Sequence, residues 1–277
     1  MIKLVLADID DTLIPLGVDS ISNRTIDAIH TIMDEGIYFG PATGRDLDGV
    51  EMFFKHEKEC YSTGLVSNGK LVLFNNKIIS TSYLDYDSIY QMYKVLNKED
   101  DSFLILRVEG KDCILCLGNL EPNWESLTLS PDLKRLEDIP KGNILTATVV
   151  CCGDKKRATY IRNKMKEVAP KLECLASSDH IFDVVTKGWN KACAMDILLN
   201  KMGIDQSQVC FFGDSENDLA MMRAVDNSFA VGNAIDEVKN EARWVIGSVQ
   251  DDAVSDVLLK IAYYQSNKID VSKWEFN

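Results

Sequence analysis

Short apolar runs alternate with helix-like segments at both ends of this 277-residue chain, and the alternation breaks in the middle. The run KLVLADI is typical of a buried strand, and the next segment, SNRTIDAIHTIMDEG, has the apolar period of a helix. GLVSNG and KLVLFNNKII are each expected to be a short strand, joined by a turn at Asn68-Gly69. After residue 187 the pattern returns with NKACAMDILLNKMG, for which Asn190 is a possible N-cap, and with VCFFGD and SENDLAMMRAV. Strands that alternate with helices form parallel sheets. We therefore predict an α/β fold with a doubly wound parallel sheet, built from residues 1–83 and 186–277.

The segment between these two parts, residues 84–185, follows a different pattern. FLILRVEGKDCILCLG and KLECLASSDHIFDVVT each contain two strand-like runs, which turn around Glu109-Gly110 and Ser178-Asp179. The helix-like segments DSIYQMYKVLN and DKKRATYIRNKMKEVA accompany them. Hairpins with separate helices are typical of an α+β domain. The chain is therefore expected to be a core interrupted by one inserted α+β domain. In such folds the ligand site lies at the carboxyl ends of the core strands.

Polar residues follow each predicted central strand of the core. They are Asp8, Asp10 and Thr12 after the first strand, Thr43, Gly44 and Arg45 after IYFGPA, and Asp214, Ser215, Glu216, Asn217 and Asp218 after VCFFG. Because the ends of parallel strands lie along one edge, we expect four carboxylates, Asp8, Asp10, Asp214 and Asp218, to share a pocket. Two negative charges about 4 Å apart repel by roughly 4 kcal/mol at an effective dielectric constant near 20. Either some of these acids are protonated or a cation lies among them.

Magnesium is the cation that this set of residues favours. Oxygen ligands without a neighbouring His or Cys suit Mg²⁺, which keeps several waters and typically bridges to a phosphate. Thr43, the backbone N–H groups around Gly44 and the helix-opening Lys191 are donors suited to a phosphoryl group. The sequence therefore predicts a Mg²⁺ and phosphoryl site in which one carboxylate can act as a nucleophile.

The overall charge limits the class of ligand and partner. A formal net charge of −13 and a pI near 4.7 argue against binding nucleic acid through its phosphates. No apolar run approaches the roughly 18–20 residues that a membrane span needs, and the N-terminal run lacks the features of a signal peptide. We expect a cytoplasmic protein with no membrane partner. Its paired cysteines, Cys113 with Cys116 and Cys151 with Cys152, are expected to be neither zinc ligands nor disulfides.

These clusters resemble the motifs of the haloacid dehalogenase-like hydrolases. DIDDTL resembles the family's first motif, D-x-D-x-T, while Thr43 in PATGR, Lys191 in TKGWNKA and then GDSEND resemble the second, third and fourth. The insertion lies between the second and third motifs, where the family's type II caps lie. SNGKLVLFNNKII and VGNA at 231–234 are similar to the Cof-type, type IIB subgroup, and the resemblance runs from residue 3 to about 260. Asp11 and Ala253 depart from it, since many members have glycine there.

The resemblance implies a role for each matched residue. Asp8 would be the nucleophile that forms an aspartyl-phosphate, and Asp10 the general acid for the leaving alkoxide and then the base for water. The residues that would bind phosphate or substrate are Thr43, Gly44, Arg45, Lys191 and Asn217. The residues that would hold Mg²⁺ are Asp8, Asp10 through its backbone carbonyl, Asp214, and Asp218 directly or from the outer sphere.

Several other polar residues have simpler explanations. Thr12, Ser215 and Glu216 suit turns or helix caps, and for Asn233 a turn and a site role stay equally open. The histidines have no Ser or Cys partner that the sequence can place, so all are expected to be structural. They are His30, His56 and His180.

The expected activity is a Mg²⁺-dependent phosphatase of small metabolites such as sugar phosphates, pyridoxal phosphate or flavin mononucleotide, with specificity set in residues 84–185. A phosphotransferase or mutase with the same chemistry stays open. A signalling receiver domain also combines an acidic pocket with Thr and Lys, but it is compact and has no counterpart of GDSEND. A non-catalytic Mg²⁺-binding protein is disfavoured because every chemical residue is present. A dinucleotide-binding oxidoreductase is excluded because no G-x-G-x-x-G follows the first strand.

Overall fold

The structure is a computed structural model that describes residues 1–108, 114–118, 136, 144–176 and 178–276. The chain divides into two compact units, Met1–Thr81 with Asn190–Asn277, and Ser82–Trp189. The expected boundaries after residues 83 and 185 differ from these by two and four residues. The assignment of the units as catalytic core and cap remains a prediction.

The first unit contains a five-stranded sheet in which every neighbouring pair is parallel. In spatial order its strands are β13 (Trp244–Val245), β12 (Asn227–Ala230), β11 (Val209–Gly213), β1 (Leu4–Ala7) and β2 (Tyr38–Pro41). Every residue of β1, β11 and β12 is buried, as expected for parallel strands that are covered on both faces. The doubly wound parallel sheet predicted from the strand–helix alternation is confirmed.

Helices connect and cover these strands. They are α1 (Asn23–Asp34), α2 (Leu47–Phe53), α5 (Lys191–Met202), α6 (Leu219–Ala224), α7 (Asp236–Glu241) and α8 (Ala253–Ser266). The side chain of Ser22 accepts a hydrogen bond in the first turn of α1, and Gly36 follows that helix with a φ of 75°, as glycine after a helix end often does. The predicted N-cap Asn190 accepts from two backbone N–H groups of α5. The short helix α2, capped by Asp46, was not predicted.

A small antiparallel sheet follows α2 along the chain. Its strands are β3 (Gly64–Val66), β4 (Leu71–Phe74) and β5 (Lys77–Thr81). The run KLVLFNNKII, expected to be one strand, forms β4 and β5, so that prediction was wrong. Asn75 and Asn76 adopt left-handed φ values of 50° and 60°, which suit a tight hairpin turn. The predicted turn at Asn68-Gly69 is present, with φ values of 55° and 78°.

The end of β2 is fixed by its contact with β3. The backbone N–H of Thr43 donates to the carbonyl of Leu65 at 2.9 Å, and Ala42 forms a parallel bridge with the same residue. The approach is so close that a Cβ at Gly40 would lie 1.9 Å from the carbonyl oxygen of Thr63. Only glycine fits at this position, and the close contact between β2 and β3 fixes where the polar residues after β2 lie.

The second unit is an antiparallel sheet with two helices packed on it. Its strands, in spatial order, are β7 (Ile114–Gly118), β6 (Ser102–Val108), β8 (Ile144–Cys151), β10 (Ile181–Thr186) and β9 (Leu172–Ala176), and its helices are α3 (Tyr86–Leu96) and α4 (Lys155–Val168). The hydrophobic core includes Ile89 and Met92 of α3 and Ile161 of α4. The predicted α+β layer is confirmed, while its expected turn at Glu109-Gly110 lies outside the described residues.

The C-terminal segment, for which the sequence shows no period, packs through its aromatic residues. Trp274 stacks on Tyr264 of α8, and Phe276 makes edge contacts with Phe229 of β12 and Trp244 of β13. Within the described ranges, no helix combines the length and the apolar character that crossing a membrane requires.

The cysteines and histidines that the structure describes show no catalytic pairing. Cys151 and Cys152 are free thiols, whereas Cys113 lies outside the described residues. The imidazole Nε2 of His30 lies 3.5 Å from the sulfur of Cys60, and burial raises the pKa of that thiol to about 12. A thiol with such a pKa is a poor nucleophile at neutral pH.

Candidate active site

The polar ends of β1 and β11 lie side by side because these strands are direct neighbours in register. The backbone N–H of Asp8 continues the ladder by donating to the carbonyl of Phe212 at 2.9 Å. One turn later, the Thr12 hydroxyl donates to Oδ1 of Asp214 at 2.7 Å. Thr12 was expected only to shape its turn, and the structure shows that it also orients this carboxylate.

Lys191 lies at the centre of the cluster. It is the first residue of α5, and its Nζ donates to Oδ1 of Asp8 at 3.0 Å and to Oδ1 of Asp218 at 2.7 Å. The lysine side chain is 1% exposed and those of its partners are 7% and 0% exposed. Such deeply buried charges persist only when they are paired. The structure thus brings together three residues that the sequence predicted to share a site.

Asp218 is held entirely by the protein. While its Oδ1 accepts from Lys191, its Oδ2 accepts from the backbone N–H groups of Asp214 at 2.9 Å and Ser215 at 3.2 Å. Gly213 leaves the necessary room, since a Cβ there would lie 2.7 Å from the Asp218 carboxyl group. With both oxygens engaged, Asp218 is better placed to orient the site than to bind an ion directly.

The cluster has the composition of a divalent-cation site. Asp8, Asp214 and Asp218 each offer an oxygen within 4.8 Å of the others. When all three carboxylates are ionised, they leave two net negative charges against the one ammonium, which a divalent cation would balance. Within the described part of the chain, Oδ2 of Asp8, Oδ2 of Asp214 and the backbone carbonyl of Asp10 accept no hydrogen bond. These oxygens are therefore suited to hold Mg²⁺.

Burial dominates the electrostatics of the two carboxylates with a free oxygen. It raises the pKa of Asp8 to about 7, although the ammonium of Lys191 opposes the shift. It also raises the pKa of Asp214 to about 8, with further contributions from the charges of Asp218 and Asp8. Burial alone would lower the pKa of Lys191, but the negative charges of Asp218 and Asp8 outweigh burial and raise it.

These shifts predict that the metal-free protein loses stability as pH rises. An unfolded Asp has a pKa of about 3.9, so between that value and about 7 to 8 the folded state binds more protons than the unfolded state. The free energy of unfolding therefore falls with rising pH over this window. Thermal unfolding in EDTA should show a melting temperature roughly 3 °C or more lower near pH 8.5 than near pH 6.

Two controls isolate the cause of this pH dependence. Mg²⁺ should raise the melting temperature more near pH 8.5 than near pH 6, because it binds the ionised carboxylates. Asp214→Asn should reduce the slope in EDTA. A melting temperature in EDTA that rises over this pH range, or a slope unchanged in the variant, would contradict the assignment.

Asp10 and Arg45 form a second feature of the site. The guanidinium of Arg45 donates from Nε to Oδ2 of Asp10 at 2.8 Å and from a terminal nitrogen to Oδ1 at 2.6 Å. The guanidinium also packs over the ring of Phe53 in α2, and its carbon lies 3.8 Å from the ring centroid. This bidentate pair fixes the orientation of the Asp10 carboxylate, and both side chains remain about one-third exposed.

The loop after β2 contains Thr43 and Gly44. The Thr43 hydroxyl accepts from the backbone N–H of Arg45 at 3.1 Å, so its own proton remains available to donate. Thr43 itself is buried, and Gly44 is half-buried with a backbone N–H that makes no hydrogen bond within the described ranges. The loop therefore offers a hydroxyl and a backbone donor of the kind that phosphoryl oxygens accept from.

Asn217 is engaged with protein groups rather than turned toward solvent. Its Nδ2 donates to Oδ1 of Asn68 at 3.1 Å, and its Oδ1 pairs with the Ser215 hydroxyl at 2.9 Å. Asn68 is buried, and its backbone N–H donates to the carbonyl of Thr43 at 2.8 Å. Asn68 thus joins the loop after β2 to the GDSEND segment. The sequence signalled only its turn, and it signalled no role for Phe53.

Comparisons with known proteins agree with the motifs. A family model described as haloacid dehalogenase-like hydrolase matches residues 5–258. The 5-amino-6-(5-phospho-D-ribitylamino)uracil phosphatase YcsE of Bacillus subtilis (strain 168) is 28% identical over 261 residues, which cover 93% of this chain and 94% of that protein. The phosphatase YitU of the same strain, with the same named activity, is 23% identical over 273 residues, covering 92% and 96%.

A solved structure shows the same fold. The HAD subclass IIB sugar phosphatase BT4131 superposes with a TM-score of 0.78 at 20% identity, covering 94% of this chain and 98% of that chain. The family model covers most of the sequence, and its range contains every residue of the cluster around Lys191. The resemblance seen in the four motifs is confirmed, and this chain belongs to the haloacid dehalogenase-like hydrolases.

Proposed function

We propose that this protein is a Mg²⁺-dependent phosphatase that hydrolyses small phosphate esters through an aspartyl-phosphate on Asp8. The observation that carries the proposal is the buried cluster of three carboxylates around Lys191. Mg²⁺ would be held by Asp8, Asp214 and the carbonyl of Asp10, with Asp218 in the outer sphere. When bound, the ion would draw charge from the phosphoryl oxygens.

The first half-reaction uses Asp8 as the nucleophile. A carboxylate oxygen of Asp8 attacks phosphorus, and the ester P–O bond on the opposite side breaks. Lys191 favours the ionised form of Asp8 and fixes its orientation through their 3.0 Å contact. The Thr43 hydroxyl and the Gly44 backbone N–H are proposed to donate to the phosphoryl oxygens, and the second N–H of the Asn217 amide could add to them. The leaving alkoxide takes a proton from Asp10, which enters this half-reaction protonated and leaves it as a carboxylate.

The second half-reaction regenerates Asp8. Asp10 takes a proton from water, which attacks phosphorus and releases inorganic phosphate from the aspartyl-phosphate. The bidentate contact with Arg45 suits the ionised form of Asp10, which is the form that acts as the base in this half-reaction. We propose that Arg45 also lies near the substrate, since its side chain remains partly exposed.

The names of the relatives narrow the proposed substrates. Two are phosphatases of a compound with a phosphorylated ribityl chain, and one is a sugar phosphatase. Each named substrate class has a phosphate ester on a hydroxylated carbon chain. We therefore propose sugar phosphates and polyol phosphates as the first class to test, ahead of pyridoxal phosphate and flavin mononucleotide.

Phosphate release from a panel of esters tests the function. The panel contains sugar phosphates, a ribityl phosphate, pyridoxal phosphate and flavin mononucleotide, each with Mg²⁺ or with EDTA. We expect turnover with Mg²⁺, loss of at least about 100-fold in EDTA, and preference for the hydroxylated chains. An added sugar acceptor separates hydrolysis from transfer. Phosphate that moves to the acceptor would support a phosphotransferase, and equal turnover in EDTA would contradict the metal assignment.

A further inference from the structure

Asn233 connects the turn after β12 to the turn that follows the nucleophile strand. Its Nδ2 donates to the backbone carbonyl of Asp11 at 2.7 Å. Asp11 has a left-handed φ of 54°, an unfavourable conformation for a residue other than glycine unless neighbouring contacts hold it. It directly follows Asp10, whose own carbonyl is a proposed Mg²⁺ ligand. The peptide that carries the Asp10 carbonyl and the peptide that Asn233 contacts meet at the Asp11 Cα, so a contact that holds Asp11 restrains the direction of that ligand.

The orientation of the Asn233 amide follows from its partners on the other side. The backbone N–H of Val249 lies 2.9 Å from its Oδ1, and the hydroxyl of Ser248 lies 3.3 Å from the same atom. A backbone N–H can only donate, so the atom that faces Val249 is the oxygen. The NH₂ group consequently faces Asp11, where a carbonyl can only accept.

The same turn also holds the other strand that carries proposed metal ligands. The backbone N–H of Ile235 donates to the carbonyl of Asp214 at 3.0 Å, and that of Val231 donates to the carbonyl of Gly213 at 3.4 Å. The segment 231–235 is thus bonded to the polar ends of both β1 and β11. Asn233 is itself exposed, so its side chain is not needed to fill the core.

We propose that Asn233 is a positioning residue for the metal site, which sets the Asp10 carbonyl at the distance from Asp214 that Mg²⁺ requires. This inference rests on the proposed Mg²⁺ site. Residues that orient metal ligands from outside the coordination sphere typically change metal affinity by about 10- to 100-fold when they are replaced. Asn233 touches no reacting atom, so its loss should weaken Mg²⁺ binding and leave the chemistry at saturating Mg²⁺ nearly unchanged.

Variants at Asn233 separate its donor from its acceptor. Asn233→Ala removes both contacts, whereas Asn233→Asp keeps the acceptor for Val249 and places a carboxylate oxygen against the Asp11 carbonyl. The matched control is Asn227→Ala at the opposite end of β12, where Asn227 donates to the carbonyls of Ser207 and Val209. The measurements are Mg²⁺ titration calorimetry without substrate, and ester turnover against Mg²⁺ concentration.

Both Asn233 variants should bind Mg²⁺ about 10-fold more weakly than the wild type, with kcat within about threefold of it at saturating Mg²⁺. Asn227→Ala should melt at a lower temperature and bind Mg²⁺ as the wild type does. Unchanged Mg²⁺ affinity in the Asn233 variants, or an equal loss in Asn227→Ala, would overturn the positioning role. A wild type that binds no Mg²⁺ would overturn the proposed metal site itself, so the two failures are distinguishable.

Discussion

Asp8→Asn is expected to lower the turnover of phosphate esters by about 10⁴-fold or more, because an amide cannot replace a carboxylate as the attacking group. The substitution keeps the size of the side chain, and Lys191 keeps its shorter contact with Asp218. It also removes a buried carboxyl group, the pKa of which is already raised by burial. We therefore expect the melting temperature to change little while activity is lost.

The matched control for this variant is Asp27→Asn, which makes the same chemical change at an exposed position of α1. Its turnover should remain within about twofold of the wild type, since surface substitutions away from special features have small effects. Wild-type turnover in Asp8→Asn would refute Asp8 as the nucleophile. A strong loss in both variants would show that the assay reports on overall charge or folding instead.

Lys191→Met should produce the largest loss of stability among single substitutions in the site. It leaves the buried carboxylates of Asp8 and Asp218 without their shared ammonium, and breaking a buried ion pair by removing one partner costs about 3–5 kcal/mol. Urea denaturation at neutral pH without metal measures this cost. The change is well above the error of such experiments.

The control for Lys191→Met lies at the other end of the same helix. Lys201 is exposed in the last turn of α5, so Lys201→Met should change the free energy of unfolding by no more than about 0.5 kcal/mol. The double variant Lys191→Met with Asp218→Asn should recover part of the loss, because it also removes one of the unpaired charges. A loss below about 1 kcal/mol in Lys191→Met would mean that the carboxylates do not depend on this lysine.

The gathering of the acidic cluster was predictable because it follows from topology. Once β1 and β11 are recognised as neighbouring parallel strands, their ends must meet, and Asp8 and Asp214 follow those ends directly. Lys191 was located by its motif, and its placement at the first residue of α5 agrees with the N-cap signal of Asn190. Local sequence and strand order together are sufficient for this part of the site.

The contacts that the sequence could not predict join segments far apart in the chain. Asn68 meets Asn217 across 149 positions, and Asn233 meets Asp11 across 222. Nothing in a turn signal such as Asn-Gly indicates which distant group its side chain will reach. Phe53 was missed for a related reason: its short helix α2 has only seven residues, too few to show a helical period.

The split of KLVLFNNKII into β4 and β5 has a different cause. Both asparagines adopt left-handed φ values, which asparagine tolerates better than most residues. Their apolar neighbours suggested one continuous strand because each side of the turn has the same β-forming composition. An Asn-Asn pair between two β-like runs therefore favours a hairpin over a longer strand.

Trapping the phosphoryl group on the protein tests whether Asp8 is the nucleophile. Excess wild-type enzyme is mixed with the preferred ester and Mg²⁺, quenched in acid at increasing times and digested for mass spectrometry. We expect the peptide containing Asp8 to gain one phosphoryl group before inorganic phosphate is released, and Asp8→Asn to show no such peptide. Phosphate release with the phosphoryl group on another residue, or on none at any time, would contradict it.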